Sequence, residues 1–197
     1  MNVKGDILFA QRLLASCGLY TLKLDGLYGN GTRKAEDEFN KLFIKYADHY
    51  GRFDDRTEAN ISTLLPKTQI SARKAMIAAK ALGNGLTVQI LSGTRTYAEQ
   101  DKLFSQRPKV TNARAGQSNH NFGIAFDVGI FKGKTYYTGK NATENKAYAD
   151  LAKLIKPIGL LWGGDWKSIK DAPHYELPTG KSVAQIRALL EAGKAYV

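Results

Sequence analysis

A stretch of alternating residues at positions 124–131 constrains the fold of this chain more than any other segment. Apolar side chains at every second position, with small or polar ones between them, indicate a β-strand with one buried face. Asp127 lies on the other face of this predicted strand. His120 precedes the strand, and Gly123 between them permits a sharp turn, so the imidazole and the carboxylate can converge. The alternating apolar positions are Ile124, Phe126, Val128 and Ile130.

A second short segment, 171–177, contains another of the chain's three histidines. Pro173 biases the residue before it toward an extended conformation, which places His174 at the start of a short predicted strand. Two imidazoles and one carboxylate form a common catalytic zinc set that leaves the fourth position for water. Asp171, three residues before His174, is then the candidate for the base that accepts a proton from that water.

The motifs at these positions are linked along the chain. They read Ser-x-His-x-x-Gly-x-Ala-x-Asp at 118–127, Trp-Gly-Gly-Asp-Trp at 162–166 and Asp-x-Pro-His-Tyr at 171–175. Together they resemble the zinc peptidases that cleave peptidoglycan stem peptides, the D-alanyl-D-alanine carboxypeptidase and L-alanyl-D-glutamate endopeptidase family. The resemblance extends from about residue 57 to residue 177 and implies zinc bound by three residues, with Asp171 as general base. The three implied zinc ligands are His120, Asp127 and His174.

Arg95 follows a predicted buried strand at 87–91 and precedes a helix that opens with the capping-box spacing of Thr96 and Glu99. The family has an arginine in this Ser-Gly-x-Arg context, so the resemblance implies that Arg95 binds a substrate carboxylate or the charge that develops on the scissile carbonyl. A structural salt bridge that closes the loop is the alternative. Asp165 is a second, lower-ranked candidate base, and Glu176 is expected to orient an imidazole.

The sequence predicts an α+β fold, with a small, mainly antiparallel sheet and surrounding helices at 59–197. A small all-α module is predicted at 1–58. In that module a helix ending at Gly18 precedes a glycine-bracketed turn at 25–29 and a second helix, for which Thr32 is the predicted N-cap. This arrangement resembles the peptidoglycan-binding modules that accompany wall hydrolases. The alternative is a helical extension that packs on the enzyme.

The charge of the chain predicts attraction to a polyanion. Its 29 basic and 18 acidic residues give a net charge of +11. Anionic polymers of the wall or outer membrane are preferred to nucleic acid, because no nucleic-acid recognition motif is present. The alternative is that the charge only maintains solubility. The single cysteine, Cys17, excludes an intramolecular disulfide, and its apolar surroundings favour a core position over a nucleophilic one.

The N-terminus shows no basic segment leading into a long apolar one, so no signal peptide is predicted, and no apolar run reaches transmembrane length. These features, the basic charge and the wall-binding-like module together resemble a phage endolysin. Such an enzyme is made in the host cytoplasm and reaches the wall after holin-type release. The chain is expected to act as a monomer on bacterial peptidoglycan.

The sequence is compatible with three functions. L-alanyl-D-glutamate endopeptidase activity is preferred, because the aspartate at position 171 resembles that branch of the family. D-alanyl-D-alanine carboxypeptidase activity is the first alternative. The second is a non-catalytic, zinc-stabilised wall-binding module, against which the presence of Asp171 argues.

Overall fold

The alternating stretch forms the central strand of a five-stranded antiparallel sheet in the computed structural model, which describes residues 5–197. The strand order is β1-β2-β5-β4, and β3 also pairs with β2. The predicted α+β fold with a small antiparallel sheet and surrounding helices is confirmed. The strands are β1 (Leu86–Ser92), β2 (Ala125–Lys132), β3 (Thr135–Tyr137), β4 (Leu161–Trp162) and β5 (His174–Glu176).

Seven α-helices surround the sheet within residues 5–197. Several of them begin at side chains that cap the first turn, and the predicted capping box of Thr96 and Glu99 is present. None of the helices in the described part of the chain has the length and apolar character needed to span a membrane. The helices are α1 (Ile7–Ser16), α2 (Asn30–Tyr50), α3 (Asp55–Ile61), α4 (Pro66–Ala79), α5 (Tyr97–Ser105), α6 (Ala142–Ile155) and α7 (Val183–Glu191).

A single hydrophobic core joins the first helices to the sheet and the later helices. Helix α1 packs against α2 and α7, α2 packs against α4, and α3 lies on β1. The rings of Phe9 and Tyr97 lie 5.6 Å apart across this junction. The predicted boundary between residues 58 and 59 lies inside α3, and the division into two domains stays a prediction.

The predicted N-cap of α2 is wrong. Helix α2 begins at Asn30 with Gly29 as its N-cap, and Thr32 is buried within the first turn. The hydroxyl oxygen of Thr32 accepts a hydrogen bond from Nε2 of Gln11 at 3.1 Å. A threonine near a helix start can satisfy a helix N–H group or a distant side chain, and here a buried amide 21 residues earlier is its partner.

Cys17 is half-buried and packs against the core, as the sequence predicts. Its Sγ donates to the carbonyl oxygen of Leu14 at 3.3 Å. Burial raises the pKa of Cys17 to about 11, so its thiol stays protonated at neutral pH. A protonated thiol is a poor nucleophile, which agrees with the predicted structural role.

Candidate metal centre

The pairing of β2 with β5 places two of the predicted ligands side by side. Asp127 and His174 are directly opposite each other in the antiparallel register. Directly opposed residues project from the same face of a sheet with their Cβ atoms about 5 Å apart. The sheet therefore fixes the separation of this carboxylate and this imidazole.

The third predicted ligand comes from a 3₁₀ turn, Asn119–Phe122, that leads into β2. Ser118 caps this turn, because its Oγ accepts a hydrogen bond from the backbone N–H of His120 at 3.4 Å. Gly123 ends the turn with a φ of +66°, in the left-handed region. A Cβ atom on Gly123 would lie 3.0 Å from Cγ of Leu65, so the turn needs glycine for its conformation and for space.

Three donor atoms converge at this point. Nε2 of His120 lies 3.1 Å from Oδ1 of Asp127 and 3.3 Å from Nδ1 of His174, and the last two atoms are 3.1 Å apart. Within residues 5–197 they form the one group of three or more potential ligands close enough to share a metal ion. Tetrahedral ligands at zinc distances of about 2.0–2.2 Å are separated by about 3.3–3.6 Å. The observed triangle is close to that spacing.

The outer nitrogen of each imidazole has an oxygen partner. Nδ1 of His120 lies 2.7 Å from the carbonyl oxygen of Gly93, and Nε2 of His174 lies 2.9 Å from Oε2 of Glu176. When the outer nitrogens donate to these oxygens, both inner nitrogens carry lone pairs directed at the carboxylate. Three lone pairs facing one another repel unless a cation lies between them, so this donor set fits a metal ion such as zinc.

The electrostatics of these groups agree with a site built for a cation. Burial lowers the pKa of His120 despite the nearby Asp127 carboxylate. Burial opposes ionisation of Asp127, but the two imidazoles outweigh it and hold the pKa of Asp127 below its usual range. Burial also opposes charge on His174, yet its hydrogen bonds to Asp127 and Glu176 raise its pKa to about 9. The two carboxylates thus favour a positive charge here, whether a proton or a metal ion supplies it.

Asp171 is held beside the metal centre by its own backbone. Its N–H donates to the carbonyl oxygen of Gly163 at 3.1 Å, and its carbonyl oxygen accepts from the N–H of His174 at 3.2 Å. A Cβ atom on Gly163 would lie 2.5 Å from the carbonyl oxygen of Asp171, so this close approach requires glycine. Burial and the negative charge of Asp127 raise the pKa of the Asp171 carboxyl. A raised pKa suits a group that accepts a proton.

Arg95 is tied to the same turn as His120. Its backbone N–H donates to the carbonyl oxygen of His120 at 3.1 Å, and its carbonyl oxygen accepts from Nδ2 of Asn121 at 2.8 Å. Nε of its guanidinium is buried and has no hydrogen-bond partner among residues 5–197. Burial lowers the pKa of Arg95, while the charges of Asp127 and Asp171 oppose that shift. The guanidinium is thus a cation close to two carboxylates.

Asp165, the second candidate base, has its ion-pair partner outside this group. Its carboxylate forms a salt bridge with Lys156 on the surface. Trp166 does approach the centre, since its ring lies 4.9 Å from the ring of His174. The structure thus brings Asp171 and Arg95, but not Asp165, near the three predicted ligands.

The structure adds residues whose role the sequence did not specify. Nδ2 of Asn119 donates to Oε2 of Glu176 at 2.7 Å, so Glu176 is itself oriented. Asn121 is fully buried and bridges two loops, because its Oδ1 accepts from the N–H of Gly116 at 3.0 Å. Asn119 and Asn121 could have been found from the sequence, because they lie on either side of His120. The role of Gly93 could not, because its carbonyl oxygen acts as the acceptor and the side-chain pattern does not indicate this.

The chain is similar to known proteins in sequence and in fold. Residues 111–177 match the model of a family described as D-alanyl-D-alanine carboxypeptidase. The chain is 38% identical over 110 residues to the peptidoglycan L-alanyl-D-glutamate endopeptidase CwlK of Bacillus subtilis (strain 168), a match that covers 50% of the chain. It is 32% identical over 121 residues to the L-alanyl-D-glutamate peptidase of Listeria phage A118, which covers 61% of the chain.

The chain spans 65% of the length of the first of these relatives and 40% of the second. Among solved structures, the L-Ala D-Glu endopeptidase ChiX of Serratia marcescens aligns with a TM-score of 0.51 and 24% identity. That alignment covers 66% of the chain and 91% of ChiX. At this level of identity the likeness shows a shared fold.

Proposed function

We propose that this chain, whose residues 111–177 match the model of a family described as D-alanyl-D-alanine carboxypeptidase, is a zinc-dependent peptidase that hydrolyses the stem peptide of peptidoglycan. The observation that supports the proposal best is the triangle of three donor atoms at 3.1–3.3 Å with an adjacent aspartate and arginine. L-alanyl-D-glutamate endopeptidase activity is the preferred reaction, because the two relatives described above are named as an L-alanyl-D-glutamate endopeptidase and an L-alanyl-D-glutamate peptidase.

In this proposal His120, Asp127 and His174 hold the metal ion. A zinc ion with three protein ligands leaves a fourth position open to water, lowers the pKa of that water and polarises a carbonyl group. Glu176 and the carbonyl oxygen of Gly93 fix the rings of the two histidines through their outer nitrogens.

Asp171 has the role of general base. Its carboxylate accepts a proton from the attacking water and can return it to the nitrogen of the leaving amine. Arg95 has an electrostatic role, since its buried guanidinium lacks a partner at Nε and can stabilise negative charge on the carbonyl oxygen of the scissile peptide. Because Arg95 and His120 share a backbone hydrogen bond, the two groups keep a fixed relation.

The test is digestion of purified peptidoglycan followed by mass spectrometry of the released fragments. We expect Asp171→Asn to retain zinc and to lose activity by about 10²–10⁴-fold, because general-base catalysis typically contributes that much. Asp165→Asn is the matched control, since Asp165 pairs with Lys156 at the surface and should have no catalytic effect. Equal activity of the wild type and Asp171→Asn would reject Asp171 as the base.

The fragment masses also decide between the two peptidase reactions. The description of the matched family favours removal of a terminal D-alanine, whereas the names of the relatives favour cleavage between L-alanine and D-glutamate. Scission at the L-alanyl bond releases a peptide that begins with glutamate, and carboxypeptidase action releases free alanine. A wild-type protein that binds zinc and releases neither product would support the non-catalytic wall-binding role.

We further propose that the protein acts in phage-mediated lysis and binds anionic polymers of the wall or outer membrane. A phage protein among the relatives and the net charge of +11 support this role. Electrostatic binding weakens as salt screens the charges. Cosedimentation with intact walls should therefore decrease between low salt and about 0.5 M salt, where the Debye length is only a few ångströms. Salt-independent cosedimentation would contradict a charge-based contact.

A further inference from the structure

A cavity of about 450 Å³ adjoins the metal centre on the side of Asp171. One wall is the loop that contains Lys109 and Val110, and the other contains Trp166 and Ile169. Asp171 also lines this cavity, and the ring of Trp166 lies 4.9 Å from the ring of His174. We call this space the side cavity. Its position makes it directly accessible to a peptide whose scissile bond lies at Asp171.

Three large apolar side chains are exposed around the side cavity. Val110 is 59%, Ile169 54% and Trp166 37% exposed. Isolated exposed apolar residues are ordinary, but several that surround one concave space next to catalytic groups indicate a binding surface. The apolar part of the side cavity thus suits the methylene groups of a bound peptide.

The loop wall of the side cavity is anchored to α5. Nε2 of Gln100 donates to the carbonyl oxygen of Ala113 at 2.8 Å, and Oδ1 of Asp101 accepts from the N–H of Ala115 at 2.8 Å. These bonds fix the loop just beyond Lys109 and Val110. A wall that is held in place in advance loses less entropy when a ligand binds.

Lys109 gives the side cavity a positive charge. Its Nζ lies 5.1 Å from the ring centroid of Phe104, whose ring also lies 4.7 Å from the guanidinium carbon of Arg114. Cation–π contacts of this kind restrain the lysine without neutralising it. The side cavity therefore combines an apolar surface with the cation of Lys109 and with the acidic residue Asp171.

We propose that the side cavity is the subsite for the acidic residue of the substrate peptide. The methylene groups of that residue pack against Val110 and Ile169, and its free carboxylate pairs with the ammonium group of Lys109. This inference rests on the proposed peptidase function and deepens it, because it assigns a source of specificity outside the metal centre. An uncharged aliphatic residue would use only the apolar part of the side cavity.

The first test is steady-state kinetics on soluble fragments of peptidoglycan. We expect Lys109→Ala and Ile169→Ser each to raise KM about three- to tenfold with kcat nearly unchanged. This is the result of losing a contact that stabilises the ground state and the transition state equally. Lys45→Ala and Ile44→Ser are matched controls, because both residues are exposed neighbours on α2. Unchanged KM values in both subsite variants would overturn the proposal.

The second test uses a pair of substrates that differ only in whether the carboxylate of the glutamyl residue is free or amidated. We expect the wild type to prefer the free acid in kcat/KM and Lys109→Ala to lose that preference. A preference that persists in Lys109→Ala would overturn the pairing with Lys109. Failure of the proposed function is distinguishable, because the wild type and the α2 controls would then cleave neither substrate.

Discussion

Glu176 determines which nitrogen of His174 faces the metal centre. Its Oε2 lies 2.9 Å from Nε2 of His174 and accepts a second hydrogen bond from Asn119 at 2.7 Å. These bonds hold the pKa of Glu176 below its usual value, although burial opposes that shift. An ionised Glu176 can accept a hydrogen bond from the Nε2–H group of His174, which leaves Nδ1 with a lone pair directed at the proposed metal ion.

Replacing Glu176 by alanine should therefore weaken zinc binding by about 10–100-fold, the usual cost of losing such a partner. Glu176→Gln keeps a hydrogen-bond acceptor and should recover part of that affinity. Zinc affinity is measured by competition with a chromogenic chelator, which does not depend on activity. Glu38→Ala on α2 is the control, since Glu38 pairs with Lys41 at the surface. Equal affinities for Glu176→Ala and the wild type would show that Glu176 does not orient His174.

At this scale the sequence predicted which side chains converge, because that prediction depended on residue types and on local turn residues, and their role as metal ligands stays a prediction. The pattern of the 124–131 strand put Asp127 on one face, and the structure places His174 directly across from it. Hydrogen bonds to main-chain groups were harder to predict from the sequence. The carbonyl oxygen of Gly93 contacts His120 because the segment that follows β1 lies against the 3₁₀ turn, and the side-chain pattern of the sequence does not indicate that contact.

The 3₁₀ turn before β2 depends on packing between elements. Gly123 links it to the start of α4, because the carbonyl oxygen of Gly123 accepts from the N–H of Leu65 at 3.0 Å. The phenolic oxygen of Tyr196, in the C-terminal segment, donates to the carbonyl oxygen of Phe122 at 2.7 Å. The N-cap residue of α4 and the C-terminal segment thus both hold the turn that contains His120.

Gly123→Ala should destabilise the protein more than Gly133→Ala. Both glycines have positive φ, but a Cβ atom would lie 3.0 Å from the Leu65 side chain at position 123 and within 4 Å of nothing at position 133. The left-handed conformation alone costs about 1–2 kcal/mol in alanine, and the crowding adds to it at position 123. Urea denaturation measures the two unfolding free energies. Equal values would mean that the contact with Leu65 relaxes without cost.

A buried ion pair joins α3 to α4. Arg73 is fully buried, and its guanidinium forms two hydrogen bonds of 2.8 Å to the carboxylate of Glu58. Its Nη1 also donates to the carbonyl oxygen of Gly51, just beyond α2. Removing one charge leaves the other buried without compensation, which costs far more than the intact pair contributes.

Glu58→Gln should therefore lower the unfolding free energy by about 3 kcal/mol, the lower end of the range for a broken buried pair. Arg52→Ala is the control, because the exposed pair of Arg52 and Asp48 should contribute at most about 1 kcal/mol. Thermal and urea unfolding followed by circular dichroism compare the two variants. A smaller decrease in unfolding free energy for Glu58→Gln than for Arg52→Ala would contradict this expectation. It would show that solvent or a rearranged side chain compensates the charge of Arg73.

Helix boundaries show the limit of local prediction. The capping box at Thr96 was predictable, since both partners lie within four residues of each other. The start of α4 at Pro66 was not predicted, because a proline can end one helix or occupy the first turn of the next. The sequence predicted Thr32 as an N-cap from its position near a helix start. Its actual partner, Gln11, lies in a different helix, and local sequence does not indicate a contact over that distance.

Over the whole molecule, the helices of the first part share a core with the sheet that supports the metal centre. A continuous apolar interface favours cooperative unfolding of the parts that it joins. A substitution at Gln11 tests whether the two parts unfold together. Its side chain is fully buried, and all the residues to which it is hydrogen-bonded belong to the first part of the chain. Its partners are Tyr20, Asp25, Gly26, Leu27 and Thr32.

Gln11→Ala should destabilise the peptidase part as well as the first helices. The change removes a hydrogen-bond partner of the buried hydroxyl groups of Tyr20 and Thr32, at about 1–3 kcal/mol for each unsatisfied group. Both tryptophans, Trp162 and Trp166, belong to the later part of the chain, so their fluorescence reports its unfolding alone. If the parts unfold together, the urea midpoint from fluorescence falls by the same amount as the midpoint from far-UV circular dichroism. Lys34→Ala, an exposed change on α2, should move neither midpoint. A fluorescence midpoint unaffected by Gln11→Ala, beside an earlier loss of helix signal, would instead establish residues 1–58 as an independent module.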